Sequence, residues 1–225
     1  MKSPAATNES GLLASLARGT WLALLLLVAG CAQLPPRPAM PPQTAEPVST
    51  GTELDRLIAL EEERRPGESG FRLVSDGPEG FAIRARAARI AGRSIDVQTY
   101  IWNGDTTGLA LAYVLLEAAD RGVKVRLLVD DMDARAKNDG LSALDAHLNI
   151  DVRMFNPLPS RSGTMAFFVD FLGDAKRLNH RMHNKTWIAD NRIAIVGGRN
   201  LGDEYFGADT EVNFVDLDFA MVGPV

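Results

Sequence analysis

Residues 179–200 have the sequence NHRMHNKTWIADNRIAIVGGRN, which contains the most informative pattern in the chain. Two runs rich in apolar and β-branched residues, 186–189 and 192–196, are separated by Asp190 and Asn191. Asp and Asn tolerate the backbone angles of tight turns, so this stretch predicts two short strands joined by a turn.

Three residues of this stretch, His183, Lys185 and Asp190, follow the spacing H-x-K-x4-D. If 183–189 is extended, His183 and Lys185 project from the same face, because strand side chains repeat every two residues. An imidazole beside an ammonium suits an anionic phosphodiester, since the ammonium binds a non-bridging oxygen while the imidazole reaches phosphorus. Asp190 has the opposite parity and lies at the turn, which favours a structural hydrogen-bonding role. Asn200 lies just beyond the next strand, where its amide could return to the phosphate.

Strands and helices alternate in the chain around this stretch. Further strands are predicted at 94–102, 123–129, 150–155 and 212–222. Helices are predicted at 53–65, 76–91, 107–121 and 139–148, with Asp76, Thr107 and Asp139 as candidate caps and with Leu109, Tyr113 and Leu116 on one stripe of the third. Alternation at this spacing predicts an α/β fold in which a mixed, largely parallel sheet is flanked by helices.

Some segments leave alternatives open. Residues 156–178 are predicted to be irregular, although Phe167, Phe168, Phe171 and Leu172 also have the spacing of a core-facing helix or could contact acyl chains. Tyr100 and Trp102 are expected to be packing residues, with lipid contact as the alternative. The basic residues between 176 and 185 form either a surface for anionic headgroups or a solvated loop. Asp130 and Asp131 either line a pocket or cap the next segment.

The composition describes an ordinary globular protein of 225 residues, with 46% hydrophobic and 24% charged residues. A net charge of −5 argues against a generic nucleic-acid binder, which needs a basic surface. The single cysteine excludes an internal disulfide framework and a cysteine-based zinc cluster, and three histidines leave little room for a His-rich metal site. We therefore expect neither a metal nor a cofactor.

The N-terminal residues 1–30 have the features of an export signal. The uncharged, Leu-rich run 20–30 is shorter than the roughly 20 apolar residues that span a bilayer. It ends in Leu-Val-Ala-Gly before Cys31, which resembles the lipobox of bacterial lipoproteins. This resemblance implies cleavage before Cys31 and lipidation of that residue; a plain secretory signal is the alternative. Ala32 then favours the outer membrane, facing the periplasm of a Gram-negative host.

The segment 31–52 is rich in proline and predicts an extended tether. It separates the signal from a globular domain at 53–225.

The pattern at 183–200 is too specific for coincidence. A chance H-x-K-x4-D has a probability on the order of 1% in a chain of this length, and G-G-x-N at the fixed offset lowers it by about a thousandfold. The stretch resembles the phospholipase D superfamily, whose motif is H-x-K-x4-D followed by G-[SG]-x-N. A more specific resemblance, to the cardiolipin synthase C-type branch, covers most of 55–225 and rests on QTYIW (98–102), RGVKVRLLVDD (121–131), RMHNK (181–185), AIVGGRNLGDEYF (194–206) and FVDLD (214–218).

This resemblance implies a phosphatidyltransferase that works through a phosphohistidine intermediate without a metal. The donor would be a phosphatidylglycerol-like phospholipid. A second lipid headgroup as acceptor would give cardiolipin, and water would give hydrolysis. His183 would be the nucleophile, Lys185 the phosphate clamp and Asn200 a second phosphate donor.

Two further positions matter for the implied site. Gly198 stands where many relatives have Ser, so a hydroxyl donor is absent there. In the family an acidic residue of the following strand orients the histidine. Asp216 fits the strand pattern and Glu211 fits a simple count from Asn200, so both remain candidates.

The family pairs two such motifs in one active site, either within one chain or in a homodimer. No second H-x-K occurs here: Lys124, Lys137 and Lys176 have no His two residues earlier. We therefore expect the N-terminal half of a longer protein, inactive alone or dependent on a dimer. The alternatives are a nuclease-type phosphodiesterase of the same superfamily and an inactive, truncated lipoprotein that binds anionic lipid.

Overall fold

The structure is a computed structural model that describes residues 19–21, 39, 44–134, 137–160 and 163–223. The predicted signal therefore lies almost wholly outside the described residues, as does Cys31, and the tether is described only in part. In the described part, no helix combines the length and the apolar character needed to cross a bilayer.

The helices from residue 53 onward follow the chain in this order: α1 (Glu53–Arg64), α2 (Gly77–Ile90), α3 (Thr106–Asp120), α4 (Asp131–Ala134), α5 (Asn138–Asp145), α6 (Thr164–Leu178) and α7 (Asp203–Phe206). The strands are β1 (Gly70–Val74), β2 (Ser94–Thr99), β3 (Lys124–Asp130), β4 (Ile150–Phe155), β5 (Thr186–Ala189), β6 (Ile193–Gly197) and β7 (Asp218–Val222).

The seven strands described here form one sheet in the order β1-β7-β6-β5-β2-β3-β4. Strands β2, β3 and β4 are mutually parallel, and the four other neighbouring pairs are antiparallel. The predicted α/β class with a mixed sheet is confirmed. Five strands share one direction, but only two of these six pairs are parallel, so the sheet is less parallel in its pairing than expected. The sequence missed β1, and β7 begins at Asp218, six residues later than predicted.

The apolar core is built from alternate residues of the central strands. Ile95 and Val97 of β2 and Trp187 of β5 are buried in one cluster with Leu111 and Leu115 of α3. Alternation places every second strand residue on the same face, so the hairpin that carries the H-x-K-x4-D motif is fixed to the core by its own buried residues.

Helix α3 turns a different stripe towards the core than the sequence suggested. Leu109 and Tyr113 are each 61% exposed, whereas Leu111, Val114 and Leu115 are buried. The helix carries apolar residues on most of its circumference, so residue spacing alone does not identify its buried face.

The predicted caps are only partly correct. Asp76 caps α2 as predicted, because its side chain accepts a hydrogen bond from a backbone N–H in the first turn. Asp105, not Thr107, caps α3. Helix α5 begins at Asn138 without a side-chain cap, so the predicted role of Asp139 is wrong.

The segment predicted to be irregular is largely helical, since α6 covers 164–178 with a kink at Asp174. Phe168 and Leu172 are 54% and 68% exposed, which excludes a core-facing role for these two. The side chains of Phe167 and Phe171 lie outside the described part. Residues 158–179 belong to a compact unit distinct from the one that contains residues 39–157 and those from 180 onward.

Helix α1 is tied to the sheet by a charged contact. The carboxylate of Asp55 accepts hydrogen bonds from the Arg93 guanidinium at 2.9 and 3.1 Å and lies 3.5 Å from that of Arg192. The same carboxylate accepts a hydrogen bond from the backbone N–H of Thr52, the N-cap residue of α1, and so completes a capping box. These hydrogen bonds, led by Arg93, hold the pKa of Asp55 well below its usual range, although burial opposes them.

Candidate active site

The register of β2 and β5 determines which side chains meet at the motif. The two strands are antiparallel, with Gln98 opposite Thr186. Extending this register by two residues places Tyr100 opposite Asn184, between the positions of His183 and Lys185. Both motif residues precede β5, which covers the predicted residues 186–189.

The side chains of His183 and Lys185 both contact the ring of Tyr100. The centroids of the His183 and Tyr100 rings are 5.0 Å apart, with a tilt of 56°. The Nζ atom of Lys185 lies 5.4 Å from the centroid of the same ring. From the sequence alone, Tyr100 is expected to be a general packing residue. In the structure its ring packs against the imidazole and the ammonium of the motif.

Lys185 is a buried cation, only 5% exposed. Its Nζ donates one hydrogen bond to the backbone carbonyl of His183, at 2.9 Å. An ammonium carries three N–H donors, so two others can serve an anion. Burial lowers the pKa of Lys185, and the negative charge of Asp216 opposes this shift. A bound phosphate would stabilise the cation further.

His183 is exposed, and Asp130 holds the segment that precedes it. The buried Asp130 carboxylate accepts hydrogen bonds from the Met182 N–H at 2.8 Å and from the Arg181 guanidinium at 3.0 Å. Arg181 also donates to the carbonyl of Asn156, at 2.7 Å. Asp130 therefore neither lines a pocket as a free carboxylate nor acts only as a cap. Arg181 is a structural residue, so the predicted basic strip is not a continuous surface of free charges.

Asn200 is buried and its amide orientation is fixed by two contacts. Its Oδ1 accepts a hydrogen bond from the N–H of Ile101 at 3.1 Å, and its Nδ2 donates to the Tyr205 hydroxyl at 2.7 Å. One N–H of the amide remains available to a ligand. Burial raises the pKa of Tyr205, and the hydrogen bond from Asn200 opposes that shift.

The carboxylate of Asp216 occupies the space above Gly198. A Cβ atom added to Gly198 would lie 2.6 Å from Cγ of Asp216, and the three nearest atoms all belong to that carboxylate. The Gly198 N–H donates to the Leu217 carbonyl at 3.0 Å, while the Leu217 N–H donates to Asp216 Oδ1 at 2.8 Å. Gly198 thus permits a close approach that a serine would block.

Neither candidate for orienting the histidine lies in the strand, since both precede β7. Asp216 is half-buried, and its negative charge opposes the lowering of the Lys185 pKa and raises that of Tyr205. Glu211 is exposed. Among the described contacts, neither carboxylate accepts a hydrogen bond from His183.

Asp190 lies at the far end of β5 from His183. Its buried carboxylate accepts hydrogen bonds from three backbone N–H groups, those of Gly92 at 2.9 Å, Arg93 at 2.8 Å and Ser94 at 2.9 Å. With φ of 54°, Asp190 also adopts the left-handed conformation of the turn. This geometry fastens the start of β2 to the hairpin and keeps the carboxylate away from the imidazole.

A buried charge cluster that the sequence did not reveal supports the loop after β6. Arg84 and Arg199 both donate to the carboxylate of Asp218, at 2.9 and 3.2 Å. Arg199 also donates to the carbonyls of Val74 and Asp216. Since Arg199 immediately precedes Asn200, these contacts fix the position of the candidate phosphate donor. In the part of the chain described here, no group of three His, Cys, Asp or Glu could hold a metal ion.

Comparison with known proteins identifies the family of this chain. The family model described as "Cardiolipin synthase, PLD-like domain" matches residues 86–222, which include the hairpin and Asn200. The chain belongs to this family. It is 44% identical over 162 residues to cardiolipin synthase C of Escherichia coli (strain K12), covering 72% of this chain and 34% of that protein. The resemblance to the phospholipase D superfamily and its cardiolipin synthase C-type branch is thus confirmed.

Two further proteins are similar to this chain, one in sequence and one in fold. An uncharacterized protein of Helicobacter pylori (strain ATCC 700392 / 26695) is 39% identical over 187 residues, covering 82% of this chain and 37% of its own length. The chain therefore spans little more than a third of these relatives. NucT from Helicobacter pylori has a similar fold, with a TM-score of 0.51 at 18% identity over 69% of this chain and 86% of NucT.

Proposed function

We propose that this chain supplies one half of a phosphatidyltransferase site that acts on phospholipids through a phosphohistidine intermediate. The observation that carries the proposal is the meeting of an exposed imidazole and a buried ammonium on one ring, His183 and Lys185 on Tyr100. The identity to cardiolipin synthase C supports a phosphatidylglycerol-like lipid as the donor.

The first step is an attack on phosphorus. An imidazole nitrogen of His183 forms a bond to the phosphorus of the lipid phosphodiester, and the bond from phosphorus to the headgroup alcohol breaks. The departing alkoxide takes a proton from a general acid. Lys185 and the free N–H of Asn200 bind the non-bridging oxygens, where negative charge increases in the transition state.

The second step regenerates the enzyme. The hydroxyl of an acceptor lipid headgroup loses its proton to a general base and attacks phosphorus, and the bond from phosphorus to His183 breaks. The product is a cardiolipin-type lipid; water as acceptor gives phosphatidic acid. We propose Asp216, and not Glu211, as the residue that orients His183, because Asp216 is half-buried beside Gly198 whereas Glu211 is exposed.

The general acid belongs to a second motif, contributed by a further half-domain in cis or by a second copy of the chain. Lipidation at Cys31 would place this unit on the periplasmic side of the outer membrane, with 31–52 as the tether. The substrate would then be drawn from the bilayer to which the protein is anchored.

Lipid transfer tests the proposal, measured both with the purified chain and with the chain joined to a second half-domain. Vesicles of phosphatidylglycerol are incubated with the chain over a wide range of concentrations, and glycerol release and cardiolipin formation are measured. We expect His183→Ala to abolish transfer and to remove the acid-labile phosphoprotein. The matched control is His147→Ala, because His147 lies beyond α5 and contacts Asp120 on the surface.

Each other outcome contradicts a defined part of the proposal. Transfer retained in His183→Ala, or lost equally in His147→Ala, removes His183 as the nucleophile. Cleavage of single-stranded DNA without lipid transfer identifies a nuclease-type phosphodiesterase. Binding of anionic vesicles without turnover, both by the chain at every concentration and by the chain joined to a second half-domain, identifies a lipid-binding lipoprotein.

A further inference from the structure

Tyr100 is a half-buried aromatic residue whose ring contacts both side chains of the motif. It follows β2 and reaches the motif only because β2 pairs with β5 in the register that sets Gln98 opposite Thr186. Tyr100 lies just beyond the end of β2, and Lys185 lies just before the start of β5, so these contacts fall outside the regular pairing of the two strands.

The ring can hold the two groups for different physical reasons. An ammonium over an aromatic face is attracted by the quadrupole of the ring, and this attraction grows when the cation is removed from water. Lys185 is largely removed from water, because its side chain is buried, and this burial lowers its pKa. The tilted contact at 5.0 Å with His183 is within the range preferred by aromatic pairs.

We propose that Tyr100 is a positioning residue whose ring fixes the imidazole of His183 and the ammonium of Lys185 relative to each other. This inference rests on the proposed function of those two residues. The nucleophile and the phosphate clamp must address one phosphorus atom, and misplacement by about 1 Å can lower a rate by about a hundredfold. The flat ring, and not the phenolic hydroxyl, performs this task.

Three substitutions separate the ring from the hydroxyl. Tyr100→Phe keeps the aromatic face, and Tyr100→Leu and Tyr100→Met keep apolar bulk without it. The matched control is Tyr113→Leu, because Tyr113 lies on the exposed side of α3. Two non-aromatic variants are used so that a folding defect in one leaves the other as a test.

The expected kinetic result is a fall in kcat with little change in KM. Tyr100→Leu and Tyr100→Met should lower kcat for lipid transfer by about 10- to 100-fold. Tyr100→Phe and Tyr113→Leu should stay within about threefold of the unsubstituted chain. Equal and measurable activity in all variants, or an equal loss in Tyr100→Phe and Tyr100→Leu, overturns the inference.

A second measurement does not depend on activity. The chain has three histidines, so the imidazole protons of His183 can be assigned in a proton–nitrogen NMR spectrum from the signals lost in His183→Ala. Loss of the Tyr100 ring should shift the His183 signals, whereas Tyr100→Phe should leave them nearly unchanged. Unmoved signals in Tyr100→Leu overturn the inference even if transfer is observed. Signals that shift and broaden beyond the change caused by the lost ring current, without any transfer by the chain joined to a second half-domain, support positioning by Tyr100 and contradict the proposed function instead.

Discussion

A methyl group added at Gly198 would enter space that the carboxylate of Asp216 already fills. The added carbon would lie 2.6 Å from Cγ of Asp216, which is too close for two non-bonded carbon atoms, so the side chain of Asp216 must rotate away. We expect Gly198→Ala to destabilise the folded chain, and we expect the penalty to depend on Asp216 alone.

The magnitude follows from the contacts that the rotation breaks. Asp216 loses the hydrogen bond from the Leu217 N–H, worth about 1 kcal/mol, and its new side-chain conformation costs about 1 kcal/mol more. Gly198 has no positive φ, so alanine fits its backbone and gains about 0.4–1 kcal/mol by restricting the unfolded chain. The net loss in the free energy of unfolding is therefore about 1–1.5 kcal/mol.

A double-mutant cycle by urea unfolding measures this dependence. In an Asp216→Ala background the carboxylate is gone, and Gly198→Ala should become stabilising by about 0.4–1 kcal/mol. The predicted coupling between the two sites is about 2 kcal/mol. Additive effects, or a penalty of equal size in both backgrounds, would refute the placement of Asp216 over Gly198.

The neighbouring glycine provides the control. A Cβ atom on Gly197 would lie 2.6 Å from Cα of Asp218, which is backbone of the paired strand β7 and cannot rotate away. Gly197→Ala should cost about 3 kcal/mol, and Asp216→Ala should not relieve that cost.

Two further predictions concern the carboxylates that hold the fold. Asp190→Ala should lower the free energy of unfolding by about 3–5 kcal/mol, because the backbone N–H groups of Gly92, Arg93 and Ser94 lose their acceptor. Transfer per folded molecule should not change. Normal stability in a chemical unfolding experiment would refute this role. The folded pKa of Asp55 is depressed, so its pairing with Arg93 stabilises the chain fully above the unfolded value near 4 and is lost as the pH falls towards the folded value. Asp55→Asn should therefore cost about 2–4 kcal/mol at pH 7 and should flatten the decrease in stability between pH 5 and pH 2; an unchanged pH profile would exclude this contribution.

The elements that the sequence predicted well are those defined by local chemistry. Asp76 marks the start of α2 because a capping side chain acts within its own first turn. The hairpin around Asp190 is equally local, since its turn residues adopt positive φ.

Other elements depend on contacts that are distant in sequence. Strand β1 exposes Phe71 and Leu73, so neither alternation nor burial marks it, and its pairing with β7 lies almost 150 residues away. The apolar circumference of α3 allows two stripes, and only packing against the sheet selects Leu111 and Leu115.

The candidate site also combines features that are local in sequence with contacts between distant residues. The spacing of His183 and Lys185 is contained in three residues, so the motif can be recognised without a structure. The contact with Tyr100 depends on the register of two strands, and the closure of Asp216 over Gly198 depends on the loop before β7. Sequence alone could not distinguish these partners from general packing residues.

The leaving alcohol needs a proton, and three groups near the motif are the first candidates to donate it. Lys185 is held as the cationic partner of phosphate by its contacts with the His183 carbonyl and the ring of Tyr100. The Tyr205 hydroxyl faces Asn200, but burial raises its pKa and makes it a weak acid near neutral pH. His183 itself is consumed as the nucleophile in the proposed reaction. The proposed chemistry therefore takes its proton from a second motif, as the family resemblance implies, and activity that depends on assembly is the expected consequence.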